Sequence, residues 1–297
     1  MTSCVILVIM LAALASCAFE GQEGDGRLSV VSTIFAPYDF ARAVAGELAG
    51  VTMLLPPASE SHSFEPTPQD IVKILNCGVF IYVGGESDAW VERILSGMDT
   101  AGMQIVTLMD CVETVEEEDG DGEQDEHVWT SPRNAMLITR KICEAMCAAD
   151  PENADAYQKN TGAYLNELDG LDAEFQQITA AGERKTIVFG DRFPFRYFTD
   201  AYGLDYAAAF PGCAAETEAG AGTVIFLIEK MKTEGIPVVF HAELSNENMA
   251  RAIGKAAGAK VLLLHACHNI SRADFQAGKT YLDLMRDNAA ALREALT

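Results

Sequence analysis

The stretch TPQDIVKILNCGVFIYVGGESDAWVERILSGM, residues 67–98, carries a helix pattern, a strand pattern and a second helix pattern in turn. Thr67 fits a helix N-cap, Pro68 fits the first helical turn, and the apolar residues that follow share one helical face. The apolar run Val79–Val83 predicts a strand, which two glycines end. A strand set between two helices is typical of a parallel α/β sheet, so this stretch predicts that fold class.

The same alternation continues along the whole chain. Further strands are predicted at 28–31, 52–55, 104–108, 186–189, 237–240 and 261–264, with helical patterns between them. From Pro151 to about Ala181 the apolar residues keep helical spacing, which predicts one helix about 45 Å long. We therefore expect an α/β protein of two lobes, each a parallel-rich sheet with helices on both faces, joined by one long helix. Ligands of such sheets bind at the carboxyl ends of the strands, here in a cleft between the lobes.

The chain is predicted to have four parts. These are a signal peptide and lipobox at 1–17, an N-terminal lobe at 28–149, a linking helix at 150–181 and a C-terminal lobe at 182–297. Residues 5–15 form an apolar run too short to cross a bilayer, and the tetrad LASC at 14–17 resembles a bacterial lipobox. We expect export, lipidation of Cys17 and anchoring at the outer face of the cytoplasmic membrane. The lack of Lys and Arg in residues 1–4 departs from the usual signal pattern.

The charge of the chain limits its partners. It carries 44 acidic and 21 basic residues, a net charge of −23. Clustered Lys and Arg bind phosphates, so this balance argues against nucleic acid and anionic membrane surfaces as direct partners. Nine carboxylates fall within residues 113–126, and such a run predicts a solvated, mobile loop.

The chain has only five histidines: His62, His127, His241, His265 and His268. The first four of these fall in loops that run from a predicted strand to a predicted helix. Such loops line the expected cleft, so the histidines are candidates to converge there. Neutral imidazole is a good ligand for zinc and neighbouring transition metals.

Two of these histidines lie in motifs that point to a known family. SHSFEPTPQDI at 61–71 and HVWTSPRNA at 127–135 resemble the two histidine motifs of the metal-binding lipoproteins that serve zinc and manganese ABC importers. GGESDAWVERIL at 84–95 and TYLDLMRDNAAALREAL at 280–296 resemble the same family, so the likeness covers nearly the whole mature chain. The resemblance implies one metal ion between two lobes, no enzymatic activity, and an ABC permease and ATPase as partners of a monomer.

The second lobe departs from the family pattern at two places. Where the family has a third histidine, this chain reads IVFGDRFPFRYF, which puts Gly190 or Arg192 at that position with Asp191 between them. Where the family has a later carboxylate, this chain has His265. An exchange of ligands between the two loops predicts the metal ligands His62, His127, His265 and Asp191. His268 and His241 are reserve candidates, and Glu243 is an alternative to Asp191.

Cys213 and Cys267 lie in two loops of the same lobe, and an exported protein can form disulfides. We predict that they pair and so fix the loop that carries His265. The alternative is two unconnected buried thiols.

Three imidazoles and one carboxylate suit tetrahedral zinc, whereas manganese prefers more oxygen ligands. Zinc is therefore the favoured ion, with manganese as the alternative. An exported zinc-dependent hydrolase is a second hypothesis, with Glu243 as a base, although HExxH and GxSxG are both absent. A third is a metal scavenger or an adhesin that works without a transporter.

Overall fold

The computed structural model describes residues 26–60, 64–117, 122–210 and 220–297. Its first lobe is built on a four-stranded parallel sheet of strand order β2-β1-β3-β4. The strands are β1 (Leu28–Ser32), β2 (Ala49–Met53), β3 (Val79–Tyr82) and β4 (Gln104–Thr107). The helices of this lobe are α1 (Phe35–Ala45), α2 (Pro68–Leu75), α3 (Ala89–Leu95) and α4 (Pro132–Ala149).

The unit α2–β3–α3 forms as its sequence predicts. Thr67 caps α2 in a capping box, because its hydroxyl accepts from the Asp70 backbone N–H and the Asp70 carboxylate accepts from the Thr67 N–H. Strand β3 pairs with a strand on each side, and Val79, Phe80 and Ile81 have no exposed surface. A strand buried on both faces needs no alternation of polar residues, which explains its uniformly apolar sequence.

The second lobe repeats the architecture with the strand order β6-β5-β7-β8, again all parallel. The strands are β5 (Thr186–Arg192), β6 (Asp205–Phe210), β7 (Val238–His241) and β8 (Lys260–Leu263). The helices are α6 (Arg196–Tyr202), α7 (Ala221–Glu234), α8 (Asn248–Ala257), α9 (Arg272–Gln276) and α10 (Tyr281–Leu296).

A single helix of 28 residues, α5 (Ala154–Ala181), runs between the lobes, and a short 3-10 turn at Pro151–Asn153 precedes it. The predicted α/β fold of two lobes joined by a long helix is thus confirmed. One hydrophobic core crosses the junction, since Phe40, Tyr157, Phe175 and Tyr281 belong to the same buried cluster. The bounds drawn for the lobes stay a prediction, because a continuous core gives them no sharp border.

The acidic run folds in part. Residues Glu116 and Gln124 form an antiparallel bridge, and the Asp125 N–H donates to the Val115 carbonyl at 2.9 Å. Asp125 and Glu126 are 6% and 7% exposed. The prediction of a solvated loop is therefore wrong for the last two carboxylates, which the hairpin carries back into the protein.

Within the described part of the chain, no helix is long and apolar enough to cross a membrane. The predicted signal peptide at 1–17, including Cys17, lies outside the described residues.

Candidate metal centre

His127 is the most deeply buried of the histidines that the structure describes. It follows the acidic hairpin, precedes the 3-10 turn Val128–Thr130, and is 1% exposed. Its Nδ1 lies 3.0 Å from Asp125 Oδ1, and its backbone N–H donates to the same oxygen at 2.8 Å. Metal-binding histidines are commonly held in this way, with a carboxylate on one ring nitrogen and the metal on the other.

The pKa of Asp125 reflects the same contact. Burial alone would raise the pKa of this carboxyl, but the charge of His127 and the hydrogen bonds from it hold the pKa below its usual value. The carboxylate therefore stays ionised, and it fixes the orientation of the His127 ring. Tyr197, on α6 of the second lobe, donates to the Asp125 carbonyl at 2.6 Å and so ties the hairpin to that lobe.

The imidazole ring of His268 contacts that of His127. Their centroids are 5.5 Å apart and their planes are at 81°, while the Trp129 ring lies 5.0 Å from His268. His268 is partly exposed, whereas His127 and Trp129 are buried. The pair therefore stands at the wall of the cleft, with the His268 side facing solvent.

The segment 264–270, which follows β8 and carries His268, is bonded to the first lobe. The Trp129 indole N–H donates to the Ala266 carbonyl at 2.7 Å, and the Phe35 N–H donates to the His268 carbonyl at 3.1 Å. Both bonds join the end of the second sheet to the end of the first. The position of His268 relative to His127 is thus fixed by hydrogen bonds on either side of it.

His62 lies outside the described residues, but the residues on either side of it lie near His268. The Asn269 amide donates to the Ser59 carbonyl at 2.7 Å, and Phe64 lines the same cavity as His268. Two residues separate Ser59 from His62, and one residue separates His62 from Phe64.

The structure directs His265 and His268 differently, and the prediction that His265 is a metal ligand stays a prediction. His265 is 4% exposed, its Nδ1 accepts from the Cys267 N–H at 2.9 Å, and the same nitrogen lies 3.8 Å from a Glu243 carboxylate oxygen. It therefore turns into its own loop, while His268 turns toward His127. The reason is local: Cys267 adopts a left-handed φ of 60°, which bends the chain sharply between the two histidines.

Asp191 and His241 also remain within their own sheet. The Asp191 carboxylate accepts from the Ala242 N–H at 3.2 Å and from the Arg192 N–H at 2.9 Å. The His241 Nδ1 lies 2.9 Å from the Ala242 carbonyl. Among the residues that the structure describes, no group of three or more His, Cys, Asp or Glu side chains is arranged to hold a metal ion. The structure therefore does not bring His127, His265 and Asp191 together, and the predicted ligand set stays a prediction.

The surroundings of Gly190 explain why this position, one of two that could match the third histidine of the family, carries no histidine. An ideal Cβ on Gly190 would lie 2.4 Å from the Cα of Ala250 on α8. Strand β5 and α8 approach so closely here that any side chain would displace the helix backbone. The third family histidine has no room at this position.

Two buried acids that the sequence reasoning missed lie beside His268. Asp88 and Glu126 line a small cavity together with His268 and Trp129. Burial, together with the charge of Glu126, raises the pKa of Asp88 to about 7, although backbone hydrogen bonds from Val83 and Gly84 counteract this. Burial also raises the pKa of Glu126, although His127 and hydrogen bonds from Ser87 counteract this. A cation near His268 would be attracted by both groups. The motifs GGESD and DEHVW contained them, but nothing in the sequence placed them together.

The predicted disulfide between Cys213 and Cys267 stays a prediction. Cys213 lies outside the described residues, and Cys267 is a fully buried free thiol. Burial raises the pKa of the Cys267 thiol well above its ordinary value.

The sequence matches known proteins over almost its full length. The family model named ZnuA, zinc-uptake complex component A, periplasmic, matches residues 30–295. The zinc-binding lipoprotein AdcA of Streptococcus pneumoniae is 28% identical over 302 residues, which cover 97% of this chain and 60% of that protein. The high-affinity zinc uptake system protein ZnuA of Bacillus subtilis is 27% identical over 306 residues, which cover 99% of this chain and 95% of that protein. The chain thus spans about 60% of the length of AdcA.

Solved structures match the fold equally well. The Zn(II)-bound ZnuA-like domain of Streptococcus pneumoniae AdcA has a TM-score of 0.79 at 27% identity, covering 91% of this chain and 99% of that one. The metal-dependent lipoprotein YcdH of Bacillus subtilis has a TM-score of 0.80 at 26% identity, with the same coverage.

Proposed function

Because this chain belongs to the family of zinc-uptake complex component A, we propose that it captures a divalent transition metal, with zinc preferred, and delivers it to an ABC importer. The observation that carries the proposal is the pair of facing imidazoles of His127 and His268, 5.5 Å apart between ring centroids. Rings at this separation can present one nitrogen each to a shared ion at about 2.0–2.1 Å.

The proposed ligands are three imidazoles: His62, His127 and His268. The described residues hold no complete ligand group of three. His62 supplies the third, since Ser59 and Phe64 on either side of it adjoin the His268 segment. Each histidine comes from a different loop, and the Asp125 carboxylate orients one of them.

A site of three nitrogens favours zinc over manganese. Zinc accepts three imidazoles with a fourth position for water or a carboxylate, whereas manganese prefers oxygen-rich, six-coordinate sites. Both relatives reported above carry zinc in their names, which supports the same preference.

The remaining parts of the proposal concern location and partners. We propose that Cys17 is lipidated and holds a monomeric protein outside the cytoplasmic membrane, where it meets an ABC permease and its ATPase. The family description, which names a periplasmic component, supports an extracytoplasmic location. Replacing Cys17 with Ala should release the protein from the membrane fraction.

Metal binding is tested by stripping the purified protein of metal and titrating zinc against a chromophoric chelator. Wild type should bind one zinc per chain, and His127→Ala and His62→Ala should each weaken binding by more than 100-fold. His241→Ala is the matched control, because that ring bonds to the Ala242 carbonyl in its own loop. A wild-type protein that fails to bind zinc at micromolar concentration would refute the proposal, and tighter binding of manganese than of zinc would refute the preference.

A further inference from the structure

Glu243 holds the segment that carries His268. Its Oε2 accepts from the Ala266 N–H at 2.7 Å and its Oε1 accepts from the His268 N–H at 2.9 Å. The side chain is 7% exposed. Both oxygens of this buried carboxylate are therefore directed at the backbone of one loop.

The backbone N–H groups of the neighbouring residues His265 and Cys267 have buried acceptors too. The His265 N–H donates to the Asn288 Oδ1 at 2.7 Å, and the Cys267 N–H donates to the His265 Nδ1 at 2.9 Å. The Asn288 amide also donates to the His265 carbonyl at 2.8 Å. Four consecutive N–H groups, at residues 265–268, are thus each accepted by a buried side chain.

This arrangement stabilises a conformation that the segment would not adopt alone. The segment belongs to no helix or strand, so no regular backbone hydrogen bonding satisfies its buried N–H groups. A buried N–H group costs about 1–3 kcal/mol when it is left unpaired. Cys267 has a φ of 60°, which L side chains rarely adopt without support. Hydrogen bonds to a carboxylate are stronger than neutral ones, and Glu243 supplies two.

We propose that Glu243 is a positioning residue, which sets the metal affinity by fixing the backbone of His268 and does not ligate the ion itself. The inference rests on the proposed function, with His268 as a ligand. His265 and Asn288 complete the same support from the other side of the segment. Glu243 follows β7, and its carboxylate accepts hydrogen bonds from the loop that follows the neighbouring strand β8.

A double-mutant cycle separates positioning from ligation. Glu243→Gln leaves only one acceptor oxygen, so it should weaken zinc binding about 10–100-fold, as loss of a residue that orients a ligand does. In a His268→Ala background the same change should have little further effect, because the ring that Glu243 positions is gone. Equal weakening in both backgrounds would overturn the proposal, since a ligand or a simple charge effect acts regardless of His268.

A second measurement does not require the His268→Ala background. At saturating cobalt, Glu243→Gln should show the same visible absorption spectrum as wild type, because the ligands are unchanged. A changed spectrum would identify Glu243 as a ligand and refute the inference. Glu247→Gln, in the same loop but paired with Arg251, is the control for loss of negative charge and should bind zinc like wild type.

If Glu243→Gln fails to fold, Asn288→Ala tests the same support from α10. Its effect on zinc affinity should likewise disappear in the His268→Ala background, and persistence of that effect would count against the proposal. A wild-type protein that binds no zinc would overturn the proposed function itself, an outcome distinct from all of these.

Discussion

The imidazole rings of His127 and His268 face each other across the junction of the two lobes, with 5.5 Å between their centroids. A buried carboxylate supports each of the two residues: Asp125 contacts the His127 ring, and Glu243 accepts from the His268 backbone N–H. Contacts with the protein itself therefore fix the positions of the pair. Little reorganisation is needed on binding, which favours high affinity.

The two histidines of the segment after β8 should differ in their effect on zinc binding. His268→Ala removes a proposed ligand and should weaken binding by more than 100-fold. His265→Ala removes the acceptor of the Cys267 N–H and should weaken binding only about 10–100-fold. Zinc titrations of both variants at one pH check this, and a larger loss for His265→Ala would place that ring on the ion.

Gly190 and Gly170 should respond in opposite ways to substitution by alanine. A Cβ at Gly190 would meet the backbone of Ala250, so Gly190→Ala should lower the free energy of unfolding by about 1–3 kcal/mol or more. At Gly170, an exposed position within α5, no atom lies within 4 Å of the added Cβ. Gly170→Ala should therefore raise stability by about 0.5–1 kcal/mol. Urea denaturation measures both, and equal effects would contradict the packing described for β5 and α8.

Trp129→Phe should loosen the junction of the lobes. It removes the indole donor and leaves the Ala266 carbonyl without that partner, which should cost about 1–3 kcal/mol of stability and weaken zinc binding. Tyr157→Phe is the control, because it also removes one buried donor, to Asp150, but far from the site. It should lower stability by about 1 kcal/mol and leave the zinc affinity unchanged. Reduced affinity in both variants would mean that general stability, and not the junction, controls binding.

Asp39 should make stability depend on pH between about 4 and 6. Burial raises the pKa of this carboxyl to about 6, although the Tyr281 N–H and Arg42 counteract burial. The folded protein then holds the proton more tightly than the unfolded chain. The contribution of Asp39 to stability is therefore fully present below the unfolded pKa of about 3.9 and is lost as the pH rises through about 6, by on the order of 2–3 kcal/mol.

Asp39→Asn should remove this dependence while its amide oxygen still accepts from the Tyr281 N–H. The difference in unfolding free energy between the variant and wild type, followed by denaturation from pH 4 to 7, isolates the contribution of Asp39. A difference that is constant over this range would show that Asp39 titrates normally.

Most elements of the fold were readable from local patterns, but strand β6 was not among the predicted strands. The capping residue Thr67, the apolar run of β3 and the helical spacing of α5 were all sufficient to predict their elements. His127 was also predictable as a candidate metal ligand, since the motif around it resembles a motif of a known family. The choice between His265 and His268 was not, because it depends on contacts with Glu243 and Asn288, which lie more than twenty residues away along the chain.

The bonds between Trp129 and Ala266, 137 residues apart, and between Asp39 and Tyr281, 242 apart, bear on how the chain folds. The wall of the first lobe is completed by residues near the C-terminus, so these contacts form only when nearly the whole chain is present. Contacts of such large sequence separation slow folding, because a long loop must close before they stabilise anything. The lobes should therefore fold in one cooperative step, and a chain cut after α5 would expose an apolar surface that α10 normally covers. Proteases and chaperones would recognise such a fragment, so the docking of α10 protects this surface.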